Sequence, residues 1–169
     1  ALPGELSRLG HESAVIMPAY RQVKEAGLPL ERLDVQLNIP IGRKAVEGSL
    51  LRTYLPGTQV PVYLVEQDEY FGREGLYQAD GQDYRDNCER FVFFSRSVME
   101  TVRLLELEID VLHVNDWQTS LIPAYLKIEY RNVPGFERIS SLLTIHNMAY
   151  QGTFWHWDML VTGLDWKYF

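Results

Sequence analysis

The sequence contains a single cysteine, Cys88, in 169 residues. An internal disulfide is therefore excluded, and a reducing, cytoplasmic setting is expected. Long apolar runs are missing too. None approaches the ~20 residues that a membrane-spanning helix needs, and no basic stretch with a long apolar run opens the chain as a secretory leader would. Positive charge is scarce: 16 Lys and Arg stand against 23 Asp and Glu, a formal net charge of −7. No nucleic acid and no membrane is expected as a partner, because both call for a basic footprint. There is no Gly-x-Gly-x-x-Gly, no Walker-type loop and no Gly-x-Ser-x-Gly elbow. These absences weigh against a nucleotide-dependent dehydrogenase, a nucleoside triphosphatase and an α/β-hydrolase. No His-x-x-x-His pair accompanies the lone cysteine, so no metal is expected. Repeats, low-complexity tracts and internal linkers are likewise absent.

What is present is globular in composition, 46% hydrophobic and 23% charged, enough for one ordinary domain or a piece of a larger one. The chain opens as if inside a helix, with Leu2, Leu6 and Leu9 closed by Gly10, and stops at Phe169 without a polar tail. It reads as a fragment. An apolar run at 13–17 predicts a strand ended by Pro18. Alternation at Val35, Leu37, Ile39 and Ile41 predicts a second strand, and 49–55 and 60–65 predict two more, together an inserted β-meander or hairpin. Residues 68–81 read as a long loop, ordered by Tyr70, Phe71 and Tyr77. Phe91, Phe94, Val98, Val102 and Leu105 form one apolar helix face, with Asp83 or Asp86 available to cap it. A strand at 111–114, a helix at about 119–130 and a strand at 142–145 complete a βαβ unit, which implies parallel strands. The expected architecture is α/β, a doubly wound, Rossmann-like parallel sheet.

In such sheets ligands bind beyond the carboxyl ends of the strands. Two neighbouring strands here end in polar pairs, Asn115-Asp116 and His146-Asn147. Asp accepts hydrogen bonds, Asn donates and accepts, and His can do either. Asp116, His146 and Asn147 therefore suit a polyhydroxyl ligand, and Asp116 with His146 also suits a general-base pair. Two plainer roles compete: Asp116 as the N-cap of the following helix, and His146 as a structural histidine. Cys88 is expected to be inert, His11 structural, His113 buried and hydrogen-bonded, and His156 a surface packing residue.

Longer motifs sharpen the choice. His113-Val114-Asn115-Asp116-Trp117-Gln118-Thr119, followed by Pro123-Ala124-Tyr125-Leu126, resembles a segment of the bacterial glycogen synthase and plant starch synthase family. Thr144-Ile145-His146-Asn147-Met148-Ala149-Tyr150-Gln151-Gly152 resembles the family's His-Asn-x-Ala-Tyr-Gln-Gly loop. The stretch from Tyr70-Phe71-Gly72-Arg73-Glu74-Gly75-Leu76-Tyr77 through Asp86-Asn87 and Arg90-Phe91 is similar to the family's loop and following helix, and 9–20 to its start. The likeness runs in order over nearly the whole chain. It departs at Asn115 and Gln118, where the family often has His.

The resemblance implies a GT-B fold, two Rossmann-like domains with a cleft between them. It implies retaining transfer of glucose from ADP-glucose to the non-reducing end of an α-1,4-glucan, with no metal or other cofactor. His146 is then the active-site histidine, and Asp116, Tyr77 and Asn147 are substrate-binding. Residues 1–169 would be part of the N-terminal, acceptor-side domain, without its first strand and its Lys-x-Gly-Gly-Leu loop. The nucleotide-sugar domain would lie beyond Phe169, and the piece alone would be inactive. A plant protein of this kind would reside in the plastid. The alternatives are a non-catalytic glucan-binding module, presenting Tyr70, Phe71, Tyr77, Trp155 and Trp157 to sugar rings, and an unrelated Rossmann-type oxidoreductase or hydrolase.

Overall fold

Strand pairing divides the chain more finely than its sequence pattern. The computed structural model describes residues 2–169, so Ala1, where the first helix was expected to be under way, lies outside the described residues. Two compact units result: 1–38 with 47–84, and 39–46 with 85–169.

In the first unit, α1 (Leu2–Arg8) leads to β1 (Val15–Pro18) and the short α2 (Arg21–Lys24). Strands β2 (Glu31–Ile41), β3 (Lys44–Tyr54) and β4 (Pro61–Glu66) follow. The hairpin end of β2 and β3, residues 39–46, counts with the second unit. The sheet order is β1-β4-β3-β2. β1 and β4 run parallel, Val15 opposite Val62, while β3 and β4 run antiparallel, Ser49 opposite Glu66. The expected meander is therefore inserted between two parallel strands. β2 and β3 are longer than the apolar alternation suggested, because polar side chains extend them, while β4 keeps the expected six residues. Arg52 pairs with Glu31 at 2.6 Å, and Arg32 with Glu66 at 2.6 Å. Ala19, Leu51, Val62 and Leu64 form the core, with Val15, Met17 and Leu30 packed against them. The segment expected as a loop over 68–81 contains structure of its own: α3 (Asp68–Phe71), then the small hairpin of β5 (Gln78–Ala79) and β6 (Gln82–Asp83). The Gln67 side chain caps α3 by accepting from the Tyr70 N–H at 3.2 Å, and Tyr70 and Phe71 are buried.

The second unit is built on α4 (Asn87–Leu104). The spacing predicts one apolar face, yet every residue from Arg90 to Met99 is buried, as befits a helix covered on several sides. Burying each large apolar side chain here contributes about 1.5–3 kcal/mol relative to exposure. β7 (Val111–Asn115), α5 (Ile122–Ile128), β8 (Ser140–Thr144) and α6 (Met159–Thr162) follow, with single tight turns at Trp117–Thr119, His156–Asp158 and Trp166–Tyr168. The predicted helix over 119–130 is shorter because Pro123, which lacks an N–H, sits in its first turn. β7 and β8 are parallel, in register from Val111 opposite Ser140 to Asn115 opposite Thr144. Leu112 and Val114 point into the core. His113, expected to be buried, is exposed, because it lies on the open face of β7. Its Nε2 is 2.7 Å from Thr144 Oγ1, so the expected hydrogen bond is present. No helix among the described residues is long and apolar enough to cross a membrane.

Arg96, buried in α4, ties the unit together. It forms a two-pronged pair with Glu129, Nη1 to Oε2 at 2.9 Å and Nη2 to Oε1 at 2.7 Å. It also donates to the Thr162 carbonyl from Nη2 at 2.7 Å, an oxygen that accepts from the Tyr125 hydroxyl at 2.9 Å as well. The chain then turns at Gly163, whose φ is +76° and where an added Cβ would lie 2.7 Å from Arg96 Nη2. Gly163→Ala is expected to destabilise the fold by about 1–3 kcal/mol, through a left-handed backbone that alanine resists and a displaced guanidinium. Denaturant unfolding of the two proteins measures the difference, and equal midpoints would refute it.

Candidate functional site

The level ends of β7 and β8 set up the site. One residue past β7, the Asp116 N–H donates to the Thr144 carbonyl at 2.8 Å and prolongs the ladder. Asp116 then adopts φ 58° and ψ −173°, a conformation close to glycine's private territory that costs of order 1–3 kcal/mol. Its carboxylate meets the residue two beyond β8. Oδ1 accepts from the His146 backbone N–H at 2.7 Å, and Oδ2 lies 3.0 Å from His146 Nδ1. Its side chain makes no capping bond to the turn that follows. The N-cap role allowed by the sequence is therefore not the one this carboxylate takes.

The His146 backbone N–H, backed by the ring and by the Asn147 N–H, holds the Asp116 carboxyl below the usual carboxylate range. An ionised Asp116 places the imidazole proton on Nδ1. In a neutral imidazole that arrangement makes Nε2 the acceptor, on a side chain that is 61% exposed. Asn147 stands next to it. Its Oδ1 accepts from the Ala149 N–H at 2.9 Å and its carbonyl from the Tyr150 N–H at 3.2 Å, which folds the loop back on itself. The side-chain amide can still donate.

The structure thus brings Asp116 and His146 into direct contact, with Asn147 adjacent in the chain. Tyr77 belongs to the other unit, half-buried just before β5, where its carbonyl accepts from the Tyr84 N–H at 3.0 Å. Asn115 and Gln118 do local work through their backbones. Thr119 Oγ1 accepts from the Asn115 N–H at 2.8 Å, and the Gln118 carbonyl lies 3.4 Å from Ser95 Oγ. Trp117, quoted in the sequence motif but given no role there, packs edge-on against Phe91 of α4 at 4.9 Å and Phe154 at 5.5 Å. A cavity of about 200 Å³ lies beside it, lined in part by Cys88, Phe91, Phe154 and Trp155. Burial pushes the Cys88 thiol up to about 12, so it is no nucleophile at neutral pH. Among the described residues, no group of three or more His, Cys, Asp or Glu side chains is placed to hold a metal ion.

Residues 1–169 match the family described as the starch synthase catalytic domain. The chain belongs to that family. It is 40% identical over 169 residues to glycogen synthase 1 of Geobacter sulfurreducens, covering 99% of this chain and 34% of that protein. It is 42% identical over 165 residues to glycogen synthase of Syntrophotalea carbinolica, covering 98% and 34%. The fold matches the catalytic domain of starch synthase IV from Arabidopsis thaliana, bound to ADP and acarbose, with a TM-score of 0.81 and 26% identity. That match covers 96% of this chain and 32% of the Arabidopsis one. The chain therefore spans about a third of the length of the curated relatives it matches.

The lowered Asp116 pKa has a defined sign in stability. The folded state prefers the ionised carboxylate, so this group stabilises the fold above its unfolded value, about pH 3.9. The contribution disappears as pH falls through the lower folded value. Asp116→Asn is expected to be less stable than the parent at pH 7, with the gap closing towards pH 2. Chemical denaturation at both pH values tests this, and a gap that is constant or grows in acid would refute it.

Proposed function

We propose that the protein containing this chain transfers glucose from ADP-glucose to the non-reducing end of an α-1,4-glucan, with retention at the anomeric carbon, in glycogen or starch synthesis. The observation that carries the proposal is the Asp116–His146 contact at the carboxyl ends of two parallel strands, in a chain of the starch synthase family. Support for the donor and acceptor classes comes from the Arabidopsis relative, which is bound to ADP and acarbose. Residues 1–169 supply acceptor-side structure, and the remainder of the polypeptide supplies the nucleotide-sugar domain. ADP-glucose is a substrate, and no cofactor enters the scheme.

In this scheme His146 Nε2 accepts a hydrogen bond from a hydroxyl of the donor glucose, and Asp116 fixes the imidazole through Nδ1. Asn147 donates to the same sugar, and Tyr77 contributes to substrate binding. As the bond from C1 to the ADP oxygen breaks, positive charge develops on the sugar ring, and fixed hydroxyl partners keep that ring oriented. The acceptor's 4-hydroxyl oxygen bonds to C1 on the face the phosphate leaves, and its proton passes to the departing phosphate. Preorganised dipoles lower the barrier because they need no reorientation as the charge appears. No protein nucleophile is called for.

A non-catalytic glucan-binding module is the second reading. Tyr70 and Phe71, two of the five aromatics it would use, are buried at 5% and 1% exposure, while Trp155 and Trp157 stay exposed at 66% and 48%. The deciding assay is glucosyl transfer from labelled ADP-glucose to glycogen by the full-length protein. His146→Ala is expected to lose about 100-fold or more in rate with its fold intact. Full activity in the variant would remove His146 from the site. Glucan binding without transfer by the parent would establish the module instead.

A further inference from the structure

We propose that Trp117 and Gly152 form a latch that fixes the far end of the His146 loop and so positions His146 for glucosyl transfer. The inference rests on the transferase function proposed above and assigns positioning roles to two residues outside its substrate contacts. The near end of the loop is held by Asp116, through the 2.7 Å bond to the His146 N–H and the 3.0 Å contact with its ring. The far end meets the next residue along, Trp117. Gly152 has φ +60°, and a Cβ added there would lie 2.5 Å from Trp117 Cδ2 and Cε3 and 2.7 Å from Cγ. The glycine backbone therefore lies directly against the indole, closer than any side chain permits. Two successive residues, Asp116 and Trp117, grip the two ends of one seven-residue loop.

The grip has a firm base. Trp117 meets the Phe91 ring at 4.9 Å and 80°, and Phe91 is 3% exposed in α4. Phe154, two residues past Gly152, meets the same indole at 5.5 Å. The loop itself has little else to hold it. Met148 and Tyr150 are 69% and 67% exposed; the Asn147 N–H also reaches Asp116 at the near end, and among the described residues the loop's remaining bonds are internal, such as Gln151 Nε2 to the Met148 carbonyl at 2.9 Å. If the far end lifts, the segment carrying His146 pivots on Asp116 alone. Small misplacements of a group that orients a reacting sugar are costly, on the order of 100-fold in rate for about 1 Å.

The test uses the full-length protein with Gly152→Ala, Trp117→Phe, Trp117→Ala and the Gly152→Ala/Trp117→Ala pair. Amide hydrogen exchange reads the loop, and steady-state kinetics with ADP-glucose and glycogen read the chemistry. Gly152→Ala is expected to speed exchange across 146–152 while α4 stays protected. It should lower kcat about 10- to 100-fold with little change in KM for glycogen. Trp117→Phe, which keeps an aromatic face, should retain most of the rate. In the Trp117→Ala background the added methyl should do less harm, because the ring it strikes is gone. If Gly152→Ala does not fold, the graded loss from Trp117→Phe to Trp117→Ala decides the matter by the same two readouts. Unchanged exchange at 146–152 overturns the latch. Faster exchange with unchanged kcat, or a loss confined to KM, overturns its positioning role. A parent without transferase activity would overturn the proposed reaction instead, and the exchange pattern would still decide whether the latch exists.

Discussion

The contact between the Asp116 carboxylate and His146 is the constraint on which the rest of the site depends. It requires β7 and β8 to end level, and the register that pairs Asn115 with Thr144 provides this. That register is fixed in turn by Leu112 and Val114, which point into the core of the second unit. A slip by one residue would turn both outward and carry Asp116 away from His146. The packing of two aliphatic side chains thus sets the position of a polar residue two places beyond Val114.

Rigidity is distributed unevenly around that contact. α4 is buried along most of its length, and Arg96 binds it to Glu129 and to the Thr162 carbonyl. β8 and the loop after it carry exposed apolar groups, with Leu142 at 53%, Ile145 at 55% and Tyr150 at 67% exposure. A well-packed helix with a lightly held loop is the usual division between scaffold and working part. Trp117 bridges the two, since it touches Phe91 on one and Gly152 on the other.

Much of this was legible in the sequence, and the exceptions share a cause. The contact of Asp116 with His146 could be anticipated because polar pairs ending two strands of a βαβ unit stand out locally, and the longer motifs pointed to the family. The meander and the parallel pairing were visible in hydrophobic period alone. His113 was misread as buried because alternation tells which face a residue takes, not whether anything covers that face. The helix α4 reads as one-faced because Phe91, Phe94, Val98, Val102 and Leu105 mark a single apolar stripe, and only the partners of Arg96 show why that charged side chain can be buried as well. The pairing of Gly152 with Trp117 had no local signal. A glycine in a loop is unremarkable until a ring from 35 positions earlier in the chain is found against it.

The strained backbone of Asp116 is held by the same contacts that orient His146. A non-glycine residue at φ 58° and ψ −173° persists only where surrounding interactions over-determine it. Here the ladder bond to Thr144 fixes the residue's amide, and its carboxylate engages the His146 backbone and ring. Each of these bonds is worth roughly 0.5–3 kcal/mol, the charge-assisted ones most, so together they can offset the strain. A relaxed backbone would aim the carboxylate elsewhere and leave Nδ1 of His146 without its acceptor. The strain and the histidine's orientation are therefore two aspects of one arrangement, which holds Nδ1 against the carboxylate and turns Nε2 away from it on an exposed side chain.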